Sequence, residues 1–369
     1  MNNSRHTNDE NKKITNEDIG FDDNFETHLK HTEGTNDLRP ARVTAEYRGS
    51  YKVKNEDGEY AAKVTGKQMF ESVRREDYPA VGDWVAILPI NEEQAVIHTI
   101  LPRKTCIKRK SINSSDTQII AANIDAALVV ESVGRDFNLN RFERYFSLAN
   151  AGGITPVAVL NKIDLVSKEE LDEKLGQIKK RFGDIDHTLT SIVTDGGLME
   201  LRDYIKKGKT YCFLGSSGVG KSSLINKLLG KDIIKTEDIS ASAERGKHIT
   251  TKREMYFLKD GGIVIDNPGM REVGMSDGAA GVDDLFERDI ASDAQCKFAD
   301  CTHVHEPGCR VLARIKAGEL DERKYSNYIS LKKETEFYEM TDVEKRNKDR
   351  RFGKFIKTAK EELKKFEDR

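Results

Sequence analysis

The spacing of apolar positions changes rhythm three times along the chain. Residues 1–38 carry few apolar side chains among many charged and amide ones. Such a stretch buries too little surface to offset its ordering entropy, so a disordered arm is expected over 1–38. From Arg39 onward short runs alternate apolar with polar, in ARVTAEYRGSYKV, EYAAKVTG, DWVAILPI and QAVIHTIL. The turn signals Asn55-Glu56-Asp57-Gly58 and Val81-Gly82-Asp83 separate them. This texture predicts a small all-β barrel of the OB type over 39–112. From about Thr117 the apolar runs become continuous, and helix-spaced segments fall between them. Strands are expected over 124–133, 156–160, 187–193, 211–214 and 262–265, and helices over 140–151, 168–182, 198–205 and 223–229. The alternation predicts an α/β domain over 113–280, with a mostly parallel sheet covered by helices on both faces. Helices over 310–317 and 322–336 predict a mostly helical domain over 281–345, followed by a basic helical tail over 346–369.

The strand expected at 211–214 runs into Gly215-Ser216-Ser217-Gly218-Val219-Gly220-Lys221-Ser222, and a helix-spaced segment follows from Ser223. This is the full GxxxxGK[ST] phosphate-loop pattern in the strand-to-helix context it requires. Glycines let the backbone curl so that successive N–H groups face phosphate oxygens, and the helix N-terminus adds partial positive charge. Lys221 is placed to neutralise the β- and γ-phosphates, and the Ser222 hydroxyl to ligate Mg²⁺.

Two further segments bear on the same chemistry. Asn161-Lys162-Ile163-Asp164 follows the strand PVAVL. Guanine offers two adjacent donors, N1–H and N2–H₂, which the Asp164 carboxylate can accept together. Adenine presents an acceptor at N1 and has no 2-amino group, so an unpaired Asp164 would cost it roughly 10³-fold in affinity. Lys162 can lie over the base, and Asn161 can tie this turn to the phosphate loop. A backbone N–H near Thr190-Ser191-Ile192 can meet the guanine O6, which makes Ser191 a candidate. Asp266-Asn267-Pro268-Gly269 follows the strand GIVI; Asp266 would hold Mg²⁺ through a water and the Gly269 N–H would reach the γ-phosphate. Between this segment and the phosphate loop lies Gly246-Lys247-His248-Ile249-Thr250-Thr251, where Thr250 or Thr251 can ligate Mg²⁺. His248 is a candidate for orienting the attacking water, or else a residue that packs or contacts RNA. Met270 cannot polarise water, so slow intrinsic turnover raised by a partner is expected. In an ordinary Ras-like order the guanine motif follows the phosphate loop; here it precedes it, so the same site is expected from a permuted chain.

Composition narrows the partners. The chain has 369 residues, 34% of them charged, and a formal net charge of −2, so contact with nucleic acid must come from local patches. One such run, Arg103-Lys104-Thr105-Cys106-Ile107-Lys108-Arg109-Lys110, reads as an RNA contact or as a solvated edge strand. No apolar run is long enough to span a bilayer and the N-terminus lacks a signal-peptide core, so a cytoplasmic chain without membrane contact is expected. Of the five cysteines, Cys296, Cys301 and Cys309 cluster around His303. Three thiolates and one imidazole fill a tetrahedral site completely, which points to structural rather than catalytic zinc. His305 is a rival ligand.

The permuted order resembles the ribosome small-subunit-dependent GTPase A family. The resemblance covers about residues 40–330 and rests on GDWV at 82–85, DFNLNRFERY at 136–145, NKID at 161–164, GSSGVGKSSLIN at 215–226, RGKHITT at 245–251, DNPG at 266–269 and the Cys/His spacing at 296–309. It implies an OB barrel, a circularly permuted P-loop GTPase domain and a zinc domain with His303 as the imidazole ligand. It also implies GTP hydrolysis stimulated by the small (30S) ribosomal subunit during its late maturation. The resulting site assigns Lys221, His248, Thr250 and Thr251 to catalysis. It assigns Asn161, Lys162, Asp164, Ser191, Gly215, Ser216, Ser217, Gly218, Val219, Gly220, Lys221, Ser222, Ser223, Asp266 and Gly269 to GTP or GDP, with Ser222 and Asp266 on Mg²⁺. One structural zinc, rRNA contact and a monomeric state complete the expectation. GKHITT stands where the family usually has GRHTTT, and Asn267 where Ser or Thr is commoner. An ATP-using phosphoryl-transfer enzyme is opposed by Asp164. A non-catalytic RNA-binding protein is opposed by the intact Lys221, Ser222, Asp266 and Asp164.

Overall fold

The computed structural model describes residues 14–32, 37–47, 49–66, 74–110, 117–135, 137–234, 253–266, 281–283, 285–286, 296–298, 301–341, 343–348, 350–351, 354 and 356. Five strands make the N-terminal barrel: β1 (Arg39–Tyr47), β2 (Ser50–Lys54), β3 (Glu59–Val64), β4 (Trp84–Pro89) and β5 (Gln94–Ile100). They follow one another as β1-β2-β3-β5-β4 and close by antiparallel pairing of β1 with β4, with β3 and β5 parallel. Alternation drives this closure. In β2, Tyr51 and Val53 point inward beside exposed Lys52, and they meet Ala41, Val43, Val85, Ile87 and Ile97 in one buried cluster.

The barrel ends at Ile100, earlier than the expected boundary at 112. Residues Cys106–Lys110 (β6) pair instead with Thr117–Ala122 (β7) in a separate antiparallel hairpin. The basic run between them divides accordingly. Arg103 is not a free RNA contact: its guanidinium makes a bidentate pair with buried Asp83 (2.8 and 2.7 Å) and donates to the carbonyls of Glu76 and Tyr78. Lys104 pairs with Asp22.

The expectation of a disordered arm fails for residues 14–32. A short 3-10 turn (Glu17–Ile19) leads into α1 (Asp23–Lys30), which Asp22 caps by accepting from the Asn24 and Phe25 amides. Ile19 and Phe25 are buried against Trp84 and Leu101, and Phe21 meets Trp84 edge-on at 4.8 Å. Arg42, only 1% exposed, donates to the Ile19, Gly82 and Asn123 carbonyls and so ties arm, barrel and α/β domain together.

The α/β domain contributes β8 (Ala126–Ser132), β9 (Thr155–Asn161), β10 (His187–Thr190), β11 (Thr210–Leu214), β12 (Glu254–Phe257) and β13 (Ile263–Asp266). Their order is β10-β9-β8-β11-β13-β12, parallel throughout except for β12. β12 also pairs with β1 at Ala45 opposite Glu254, so barrel and α/β domain share one continuous sheet. Because side chains alternate, the strands feed two cores. Val129, Leu160 and Leu214 face α2 (Leu139–Ala151) and α3 (Lys168–Phe182) through Phe142, Phe146 and Ile178. Leu128, Val159 and Phe213 face α4 (Met199–Tyr204) and α5 (Lys221–Leu229) through Leu201, Leu224 and Leu228.

The C-terminal helices α6 (Arg310–Lys316) and α7 (Glu322–Glu339) pack with Val282 and Phe286 around a small core. Helix α7 docks on α2. Arg144 holds Glu334 through both terminal nitrogens (2.5 and 2.7 Å), and buried Glu143 accepts from Arg181 (2.6 and 2.8 Å) and from Asn327. Glu143→Ala leaves the Arg181 guanidinium, 9% exposed, without its carboxylate and with only the Asn140 side-chain carbonyl to donate to. The expected cost is about 3–5 kcal/mol, measurable as a lower denaturation midpoint, with early loss of α7 protection in hydrogen exchange.

Candidate nucleotide site and metal centre

All five parallel strands end at the same edge of the sheet, and the motif residues sit on those ends. β11 is buried along its whole length and stops at Leu214. The chain then turns through Gly215, Gly218 and Gly220, all at positive φ (138°, 79° and 103°). At Gly215 a Cβ would lie 2.3 Å from the Val130 carbonyl, and at Gly220 it would lie 2.4 Å from Asn161 Nδ2. These two glycines are therefore required by close approach as well as by conformation. Val219 is buried in the α4–α5 core and anchors the loop from below. Lys221 opens α5, with Ser222 and Ser223 behind it in the first turn, and its Nζ donates to the Gly215 and Ser216 carbonyls (2.7 and 2.6 Å). Ser217 and Gly218 are exposed at the loop crest.

The NKID segment meets this loop directly. Asn161, the last residue of β9, donates from Nδ2 to the Val219 carbonyl at 2.8 Å, and Lys162 donates to the Gly218 carbonyl at 2.7 Å. Thr190 Oγ1 donates to Asn161 Oδ1 at 3.0 Å, which fixes the direction of that amide. Lys162 lies at φ 61°, a left-handed turn that swings the chain into the short 3-10 turn Ile163–Leu165 bearing Asp164. Asp164 is exposed and accepts from Ser191 Oγ at 2.5 Å. A carboxylate in this setting discriminates between bases fully only once the base itself shields it from water. Ser191 departs from the role expected of it. Its backbone N–H is donated to the Gly197 carbonyl at 2.8 Å, so this amide is not offered to a guanine O6, and the residue acts on Asp164 through its hydroxyl instead.

Asp266 ends β13 beside β11. Burial pushes its carboxyl up to about 6, and the nearby Lys221 ammonium offsets part of that rise. His248, Thr250, Thr251, Gly269 and Met270 lie outside the described residues. Two residues gain a contact here that the sequence does not assign them. Thr190 belongs to the segment read for a backbone N–H to guanine, and Tyr145 to DFNLNRFERY and the helix-spaced apolar stripe of α2. The Tyr145 side chain is hydrogen-bonded to Ser216, and burial raises its phenol above the usual range.

In the C-terminal domain the ligand atoms of Cys296, Cys301, His303 and Cys309 all lie within 4.8 Å of one another. His303 Nδ1 stands 3.5 Å from both Cys296 Sγ and Cys309 Sγ, and the last two are 4.0 Å apart. Tetrahedral zinc with bonds of ~2.3 Å to sulfur places two thiolates about 3.8 Å apart, so the set fits that ion. His303, not His305, faces the thiolates. It sits at φ 64°, and its carbonyl accepts from the Tyr325 hydroxyl of α7.

The fold and site define a circularly permuted P-loop GTPase carrying an N-terminal five-stranded barrel and a C-terminal Cys₃His domain. Residues 100–276 match the RsgA GTPase family. The chain is 37% identical to the Small ribosomal subunit biogenesis GTPase RsgA 1 of Bacteroides thetaiotaomicron, over 92% of this chain and 95% of that one. It is 41% identical to the protein of that name from Methanosarcina acetivorans, over 70% of each. The chain belongs to the RsgA GTPase family and is a GTP hydrolase. Among solved structures it is similar to YjeQ from Thermotoga maritima, with a TM-score of 0.61, 27% identity, and coverage of 81% of this chain and 98% of that one. The fold also matches YloQ, a circularly permuted GTPase, with a TM-score of 0.57.

Proposed function

We propose that the protein binds GTP with Mg²⁺ and hydrolyses it on the small ribosomal subunit, late in the maturation of that subunit, with the subunit stimulating turnover. The observation that carries the reading is the joining of Asn161 and Lys162 to the Val219 and Gly218 carbonyls, which puts the Asp164 turn against the phosphate loop. The biogenesis role follows the printed names of the relatives.

In this reading the curled loop from Gly215 to Gly220 and the start of α5 hold the phosphates, and Lys221 shifts from its carbonyls to the β- and γ-phosphate oxygens. Asp164 accepts from the guanine edge while Ser191 holds its carboxylate in place. Mg²⁺, when bound, would neutralise phosphate charge, and Ser222, Asp266 and one of Thr250 or Thr251 would hold it; His248 would orient the attacking water and the Gly269 N–H would reach the γ-phosphate. One structural zinc on Cys296, Cys301, His303 and Cys309 staples the C-terminal module, which grips rRNA together with the barrel. The protein acts as a cytoplasmic monomer, and among the described residues no helix is long and apolar enough to cross a membrane.

Asp266 makes this reading sensitive to pH. Its carboxyl titrates near 6, and its neutral form cannot hold a cation or a cation-bound water. Mg²⁺ affinity measured with GDP present should fall as pH drops through about 6, and the part of that fall beyond the titration of the GDP terminal phosphate should be absent in Asp266→Asn. The proposed function itself is tested by GTP turnover with and without purified small ribosomal subunits. Turnover should rise with subunits, and a rate indifferent to them would refute the stimulated role.

A further inference from the structure

We infer that Glu254 is a positioning residue for the Mg²⁺ of the nucleotide site, a second carboxylate that holds one of the cation's waters beside Asp266. This rests on the function proposed above, which supplies the metal and the nucleotide. None of the nucleotide motifs, at 161–164, 215–222, 245–251 and 266–269, includes Glu254.

Strand register places it there. β12 and β13 run antiparallel, with Glu254 directly opposite Asp266, Met255 opposite Ile265 and Tyr256 opposite Val264. Residues directly opposite share one face of a sheet, with Cβ atoms about 4.5–5.5 Å apart. Met255 and Ile265 turn into the core under α2 and α3, and Val264 into the core under α4 and α5. Asp266 lies two residues beyond Val264, so Asp266 and Glu254 both stand on the α4–α5 face. Helix α5 opens on that face with Lys221 and Ser222. A hydroxyl and carboxylates are hard oxygen donors, the set that Mg²⁺ takes. β1 pairs with the same residue from the other side, at Ala45, so the backbone of Glu254 is fixed by both neighbours.

Like charges directly opposite one another weaken a sheet unless a counter-charge offsets them. Both carboxylates are half-buried, where water screens them poorly. The Tyr256 hydroxyl, two residues along on the same face, donates to Glu254 Oε2 at 3.1 Å. That bond orients the ionised carboxylate and adds no charge. The adjacent Arg253 is turned to Glu46 of β1, 3.5 Å away. A divalent cation is the counter-charge that this arrangement suits. Mg²⁺ keeps several waters and is bound through one or two carboxylates together with phosphate oxygens, so Glu254 acts through a water rather than by direct ligation.

The test is the Mg²⁺ dependence of GDP release from the full chain, followed with a fluorescent GDP analogue. In Glu254→Gln the Mg²⁺ concentration that half-maximally slows release should rise about tenfold. GDP affinity in excess EDTA should stay at the wild-type value, because Glu254 touches neither base nor phosphate in this reading. Without Mg²⁺ the same substitution removes a repulsion and should raise the denaturation midpoint, whereas loss of a merely structural contact would lower it. Tyr256→Phe keeps the charge and removes its hydrogen bond, so it gives an independent reading if Glu254→Gln fails to fold. It should shift the Mg²⁺ dependence in the same direction, by about twofold to threefold. Wild-type Mg²⁺ dependence in both variants would overturn the inference, and so would a loss of GDP affinity in Glu254→Gln that persists in EDTA. A wild-type protein whose GDP release ignores Mg²⁺ would overturn the proposed use of the metal and this inference together. A wild-type response shared in full by the variants overturns the inference alone.

Discussion

Asp164→Asn should lower GDP affinity about 10²- to 10³-fold and raise affinity for xanthosine diphosphate. The carboxylate of Asp164 is acceptor-only and is held by Ser191 on the turn that Lys162 opens; in the proposed site it meets the guanine donor pair from there. An Asn amide presents one donor and one acceptor instead. Against guanine it leaves one donor facing another, a mismatch worth about 3–4 kcal/mol when the base excludes water. Xanthine carries a carbonyl where guanine carries its amino group, and the new amide matches it. Direct titration with the two diphosphates checks both halves. Equal losses for both bases would mean that the substitution had disturbed the turn, while unchanged GDP affinity would remove Asp164 from the site.

Cys309→Ser should abolish zinc binding and release the C-terminal helices. Cys309 is 5% exposed and sits in the same cluster as Val311, Tyr328 and Leu331, so it is both ligand and core residue. That cluster is small, and a domain with so little apolar burial would depend on the zinc proposed for it; structural zinc supplies apparent binding energies of about 10–16 kcal/mol in comparably small units. Metal content by elemental mass spectrometry should drop from one zinc per chain to near none, and limited proteolysis should cut between α6 and α7. Nucleotide affinity should change little, because the loop of Gly215–Gly220 is held by β8, β9 and α5 rather than by the C-terminal helices. Full protease resistance in a zinc-free variant would show that packing of α7 on α2 suffices without the metal.

The parts of the site that were legible in the amino-acid sequence are those where chemistry demands particular letters. The loop needs glycine wherever a Cβ would strike Val130 or Asn161, and the guanine turn needs an acid at a strand end, so both could be read without coordinates. Strands buried on both faces, such as β9 and β11, are unbroken apolar runs and were placed to within about a residue at each end. Short elements that owe their form to a partner were not. β12 is four residues long and exists because β13 and β1 flank it. No strand is expected over β7, because its first two residues are polar and its partner is the basic strand β6. The arm was misjudged by averaging: Phe21, Phe25 and Leu29 recur at helical spacing, but the charge around them hid the stripe that packs beside Trp84. Ser191 shows a different limit, since a residue type names a hydroxyl but not which of its groups is already engaged. Arg42 reads as an exposed strand residue, and only the three carbonyls that converge on it explain its burial.

Displacement of a fluorescent GDP analogue by unlabelled GDP and ADP bears most directly on the claim that out-of-order segments converge on one guanine-selective pocket. If Asn161, Asp164 and the phosphate loop act together as their contacts indicate, GDP displaces the probe at concentrations about 10³-fold lower than ADP does. Equal displacement by the two nucleotides would contradict it, because the loop would then be holding phosphates with no part played by the turn at Asp164.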